Sequence, residues 1–207
     1  MRSVILLSCL LGMQFVSLSA RAEAPSFSYL SAEYVASGDF EVSDGDLSLA
    51  LDMDGFALNA SLQLGFVFVQ ASRFELESEE LFDSRIKDSI SSVALGFTFA
   101  LPKTALYALI RGRNDDLQIR GGLLNDEVDG SSLGGEVGAR VNLTDRLEIN
   151  AKLGRPSADA GNSYGLGAQF FVTENIGLTL DINSLEIEDG DISASFDTTA
   201  VGLRYTF

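Results

Sequence analysis

The chain has 207 residues, a formal net charge of −16 at pH 7, no histidine and a single cysteine, Cys9. Such acidity argues against nucleic acid or an anionic surface as partner, and the missing histidine removes Ser-His, Cys-His and His-assisted chemistry in their usual forms. Apolar residues reach 46%, yet beyond the first residues no run of about 18 occurs, so no transmembrane helix is expected.

At the start, Met1-Arg2-Ser3 carries one positive charge, Val4 to Met13 is apolar apart from Ser8, and Ala20-Arg21-Ala22 offers a small-x-small cleavage site. These are the parts of a secretory signal peptide, placed at 1–22, with the mature domain at 23–207. Ala22-Glu23-Ala24 is a second possible site, but Pro25 would follow it directly. A lipoprotein box at Leu7-Ser8-Cys9 is disfavoured because too few apolar residues precede Cys9. The exported chain would hold no cysteine, and so would enter an oxidising compartment without using disulfides.

From Pro25 onward the hydrophobic period is two rather than 3.6. Ten strands are predicted near 27–37, 55–64, 66–74, 90–101, 105–114, 132–144, 147–155, 163–173, 176–185 and 196–207. Short connectors at Leu64-Gly65, Pro102-Lys103-Thr104, Asp145-Arg146 and Glu174-Asn175 alternate with long ones near 38–54, 75–89, 115–131, 156–162 and 186–195. That alternation marks a transmembrane antiparallel up-and-down β-barrel. Both ends must finish on one side, which requires an even number of strands; ten is expected and eight is the alternative. A weak repeat at an offset of 29 relates 137–146 to 166–175, as a meander of hairpins should show.

Within the strands, one face is aliphatic and the other carries glycine, threonine, asparagine and isolated charges. Leu133, Val137, Ala139 and Val141 oppose Gly134, Glu136, Gly138 and Arg140, for example, and Val201, Leu203, Tyr205 and Phe207 oppose Gly202, Arg204 and Thr206. A solvated face would carry many lysines and glutamates; small residues with paired charges suit a narrow lumen, and the aliphatic face then suits lipid. The lumen charges expected are Glu33, Arg111, Arg113, Glu136, Arg140, Glu148, Lys152, Asp181 and Arg204, five positive and four negative. Most remaining acids fall in the long loops. Arg73 breaks the pattern, since its parity places it with Val67 and Val69; headgroup level or a register slip would account for it.

Little else carries chemistry. Asp44-Gly45-Asp46, Asp115-Asp116 and Glu188-Asp189-Gly190-Asp191 are first of all turn signals, and Asp44-x-Asp46 is too short to specify a Ca²⁺ loop. Zinc would lack its usual histidine and cysteine ligands in the exported chain. No catalytic residue, metal site or cofactor is expected.

The leader, the ten alternating strands and the ending Val201-x-Leu203-x-Tyr205-x-Phe207 together resemble the small Gram-negative outer-membrane β-barrel proteins, over essentially the whole exported chain. Well-known members have eight strands, and a count of ten departs from that. The resemblance implies that Val201, Leu203, Tyr205 and Phe207 form the signal read by the barrel-assembly machinery, with the final aromatic as the most telling position. It also implies residence in the cell outer membrane, with lipid and that machinery as partners. The last strand should close on 27–37, with Arg204 pointing inward toward a carboxylate such as Glu33. The function expected is a non-enzymatic integral barrel with a structural or surface-interaction role, its acidic loops outside and open to divalent cations. A narrow channel for small solutes or ions and a soluble secreted β-domain are the alternatives.

Overall fold

The computed structural model describes residues 24–44, 47–78, 84–121, 124–157, 161–189 and 192–207; the expected signal peptide, 1–22, and its cleavage site lie outside them. Ten antiparallel strands form one closed barrel. They are β1 (Tyr29–Asp44), β2 (Leu47–Leu64), β3 (Val67–Ser78), β4 (Ser84–Leu101), β5 (Thr104–Gly121), β6 (Leu124–Asn142), β7 (Leu147–Arg155), β8 (Asn162–Phe171), β9 (Ile176–Asp189) and β10 (Ile192–Thr206). Each pairs with its sequence neighbours, and β10 closes on β1 from Tyr29↔Thr206 to Asp44↔Ile192. Closure leaves no bare edge in the layer that meets lipid.

The four tight turns and both ends of the barrel lie at one rim. Gly65 (φ 65°) opens the β2–β3 turn, and Lys103 (φ 62°) follows Pro102 in the β4–β5 turn, the left-handed position that a type II turn requires. The repeat at an offset of 29 has a structural meaning. Thr144 Oγ1 accepts from Arg146 N and Leu147 N, and Thr173 Oγ1 accepts from Asn175 N and Ile176 N in the same way. Both turns span four residues, 143–146 and 172–175, where two were expected.

The larger difference concerns the long connectors. Most of 38–54, 75–89, 115–131 and 186–195 is strand, so eight strands rise well beyond the rim of β7 and β8. Local alternation continues through these segments, but with its sign reversed. On β2, Phe56 and Leu58 point outward at 63% and 57% exposure, whereas Leu51 and Met53, of opposite parity, are buried inside. Such a reversal without a bulge marks the passage from lipid to water, where the apolar face must turn inward. β1 makes the same change through a bulge at Val35/Ser37.

Below that level the outside is apolar all round, with Val93, Leu95, Phe97, Leu106, Ile110, Leu133, Val137, Leu153, Leu166, Leu178, Leu180 and Leu203 exposed. From Phe56 to Leu64 this belt follows the strand for roughly 26 Å at ~3.3 Å per residue, enough to cross a hydrocarbon core when tilted. Arg73 points outward opposite Leu58, in the upper part of the belt, and pairs at 2.6 Å with Glu75, which lies opposite Phe56 at its upper edge; a side chain reaching up to headgroup level accounts for it without a register slip.

Candidate functional site

The lumen fills in three layers. At the turn rim, residues 24–28 fold into the mouth ahead of β1, where a strand beginning at 27 was expected. Phe27 stacks on Phe68 with centroids 4.6 Å apart and meets Tyr107 edge-on at 5.3 Å. Phe27 N donates to Gln63 Oε1 (3.0 Å), and Gln63 N donates to Ser28 Oγ (3.1 Å). Ala94, Ala105 and Leu109 complete this aromatic plug.

Against the plug lies the most buried charge group. Arg140 holds Glu148 through Nε (2.7 Å) and Nη2 (2.6 Å) and donates from Nη1 to Ser26 O (2.6 Å), with its guanidinium 4.7 Å from the Phe27 ring centroid. Arg204 lies 3.8 Å from the same Glu148 oxygen, donates to Gln169 Oε1 (2.8 Å) and stacks over Tyr29 at 4.1 Å. The partner expected for Arg204 was a carboxylate such as Glu33; Glu33 instead accepts from Ser31 Oγ (2.9 Å). The reason is register: Glu33 faces Gly202 across β1–β10, one inward position further from the turn rim than Arg204.

The middle layer is polar. Tyr107 Oη donates to Glu136 Oε1 (2.8 Å), and Arg111 lies 3.6 Å from Glu136 Oε2. Lys152 and Asp181, with Asn150 and Asn183, fill the space over β8. Side chains at Gly165 would overlap Lys152, and at Gly167 they would overlap Asn150 and Asp181. The same fit recurs elsewhere: a methyl at Gly138 would fall 2.6 Å from Tyr107 Oη, and one at Gly96 would overlap the Phe68 ring. Inward glycine beside a large side chain is how this lumen is filled. Thr179 Oγ1 and Asn183 Oδ1 are buried there without a hydrogen-bond partner among the described residues. Gly96→Ala is therefore expected to lower stability by about 1–3 kcal/mol, read by urea unfolding in detergent, since Phe68 has no free space to move into.

Above the belt the interior becomes apolar again. Val35, Met53, Leu76 and Ala200 form a second buried cluster, flanked by Phe40, Phe74, Ile86 and Phe196. Beside it Arg113 pairs with Asp115, and Asp88 faces them from β4. Burial pushes the Asp88 carboxyl up from 3.8; Asp115 and Asp116 add to the rise and Arg113 opposes it. A raised carboxyl favours the folded state while protonated, and that contribution is lost as pH rises past the ordinary value. Asp88→Asn should thus raise stability at pH 7 by about 0.5 kcal/mol after solvent screening, and the gain should vanish below about pH 4. Unfolding at the two pH values checks this.

All nine expected lumen charges stand on inward strand positions, although they form separate groups and no single constellation. Val201, Leu203 and Tyr205 face outward, and the Tyr205 and Phe207 rings lie 6.1 Å apart at the turn rim. The last residues are held from both sides. Asn175 Nδ2 donates to Thr206 O (2.7 Å), and Phe207 N donates to Ser28 O (3.1 Å). Among the described residues no cluster of three or more acidic side chains could hold a metal ion.

No protein-family model matches the sequence, and neither does any curated protein. Solved structures do match. The outer membrane protease OmpT of Escherichia coli aligns over 92% of this chain and 99% of its own, with a TM-score of 0.50 and 10% identity. Neisserial surface protein A aligns over 88% and 98%, with a TM-score of 0.46 and 10% identity. The Yersinia pestis attachment invasion locus protein Ail aligns over 87% and 100%, with a TM-score of 0.43 and 14% identity. At such identities the likeness speaks for fold alone. The chain has the fold of the Gram-negative outer-membrane β-barrels, a closed transmembrane barrel of ten strands.

Proposed function

We propose that this protein is a non-conducting, non-enzymatic barrel of the outer membrane whose working part is the acidic sheet raised above the lipid belt. The observation that carries the reading is a lumen filled at the turn rim by Phe27, Phe68 and Tyr107, with a second apolar cluster of Val35, Met53, Leu76 and Ala200 against the β10–β1–β2–β3 wall above the belt. A solute would have to displace the rim filling. The chain lacks histidine, and its inward carboxylates near the outer end are matched by Arg113, which favours a binding surface over a catalytic pair. In this reading residues 1–22 direct export, the chain crosses the periplasm, and Val201, Leu203, Tyr205 and Phe207 are read by the assembly machinery. The raised strands, with Asp39, Glu41, Asp52, Asp54, Glu75 and Glu77 pointing outward, attract divalent cations diffusely.

The test is electrical. Purified protein reconstituted in planar bilayers is expected to give no stepwise conductance, and regular steps would overturn the closed-lumen reading.

A further inference from the structure

We propose that the free edge of β6, Leu124–Ser131, is a strand-addition site for an extended basic polypeptide segment met at the cell surface. The inference rests on the surface-interaction reading above and names its partner class. β7 ends at Arg155, opposite Gly135, and β8 begins at Asn162, opposite Glu186. Pro156 still packs over Gly134, where a side chain would overlap its carbonyl group; above that point the strand pairings of the described residues join β6 to β5 alone. The wall therefore has a notch two strands wide, roughly 14 Å from β6 to β9 at ~4.8 Å per strand spacing.

The hydrogen-bond parity of β6 is fixed lower down. Asn142 N donates to Lys103 O (2.8 Å) on the β5 side, and Leu143 N donates to Leu147 O (2.9 Å) on the β7 side. Pairing with β5 continues without a shift from Thr104↔Val141 to Gly121↔Leu124. Even-numbered residues thus turn their peptide groups to β5, and odd-numbered ones turn theirs to the notch. The N–H and C=O groups of Asn125, Glu127, Asp129 and Ser131 form a ladder ready for one more strand.

Charge selects the occupant. In sequence, the strands that bank the notch bring Asp126, Glu127 and Asp129 on β6 and Glu186, Glu188 and Asp189 on β9, with no lysine or arginine in 124–133 or 182–189. A second copy pairing edge to edge would oppose like charges, which is how acidic edges avoid self-association. A lysine- or arginine-bearing strand gains both the ladder and the field.

The test uses protein purified in detergent and a fluorescent peptide of alternating lysine and threonine, as long as the free edge. Saturable binding is expected by anisotropy. A fully N-methylated version keeps its charge but has no N–H, and should bind at least about tenfold more weakly. Ser131→Pro removes an N–H that faces only the notch, and should weaken binding about tenfold while the unfolding midpoint in urea stays close to that of the original barrel. Neutralising Asp126, Glu127 and Asp129 together should weaken binding and flatten its salt dependence. Equal binding of the N-methylated peptide, or no effect of Ser131→Pro, would reduce the site to charge attraction and overturn the proposal. Absence of binding by a barrel silent in bilayers would sink strand addition alone, whereas conductance would sink the reading beneath it.

Discussion

Replacing Arg140 with alanine is expected to cost the folded barrel about 3–5 kcal/mol, read as a lowered urea midpoint in detergent. Glu148 is 2% exposed and has two guanidinium neighbours, one held at 2.6 Å and one at 3.8 Å. Without Arg140 its charge stays buried with only the more distant partner. The same substitution removes the donor to Ser26 O and the cation over Phe27, so residues 24–28 lose their anchor in the mouth. Arg140→Lys should recover little, because an ammonium cannot reach Glu148 and Ser26 as the planar fork does. A double change of Arg140 and Glu148 to leucine should recover much of the loss, since the desolvation of both charges disappears with them. If the double variant is no better than Arg140→Ala, the plug contact outweighs the ion pair.

The strand count, the parity of the lipid-facing rows and the inward charges were legible because lipid imposes one rule on every strand: aliphatic outward, small or polar inward. The raised strands were not, since above the belt that rule inverts. Asp52 and Asp54 then look like loop residues, although Leu47, Leu49, Leu51 and Met53 already alternate in the sequence on the opposite parity to Phe56 and Leu58. A change of parity without a change of period was the available signal. The plug was hidden for another reason. Phe27 continues the strand alternation formally, and only tertiary contact with Phe68, Tyr107 and Arg140 turns it into a stopper. The pairing of Glu148 with both arginines was out of reach as well, because it joins β6, β7 and β10 across the lumen.

Function follows the same division. The buried part spends its charges on one another: Arg140 and Arg204 on Glu148, Arg111 on Glu136, and Arg113 on Asp115. Such pairs add rigidity more than net stability. The outer part keeps its acids turned to water, with Arg73 and Arg85 taken up by Glu75 and Glu77. In the function proposed above, recognition falls to the raised sheet, whose shape is set by the short β7–β8 hairpin.

Substituting Phe207 with alanine separates two roles that the folded structure superimposes. As part of the barrel, the ring is half-buried and 6.1 Å from Tyr205, a contact worth about 1 kcal/mol. The backbone of the last two residues is tied independently, through Asn175 and Ser28, and alanine keeps those bonds. Protein refolded in detergent should accordingly show an unfolding midpoint close to the original. In cells, if the ending is read during assembly, the heat-shifting fraction in the outer membrane should fall roughly tenfold, far more than 1 kcal/mol can remove from a fold stable by about 5–15 kcal/mol. Losses that match in both assays would mean that Phe207 only completes the lipid-facing row. A loss in cells alone would mean that Phe207 is recognised before the barrel exists.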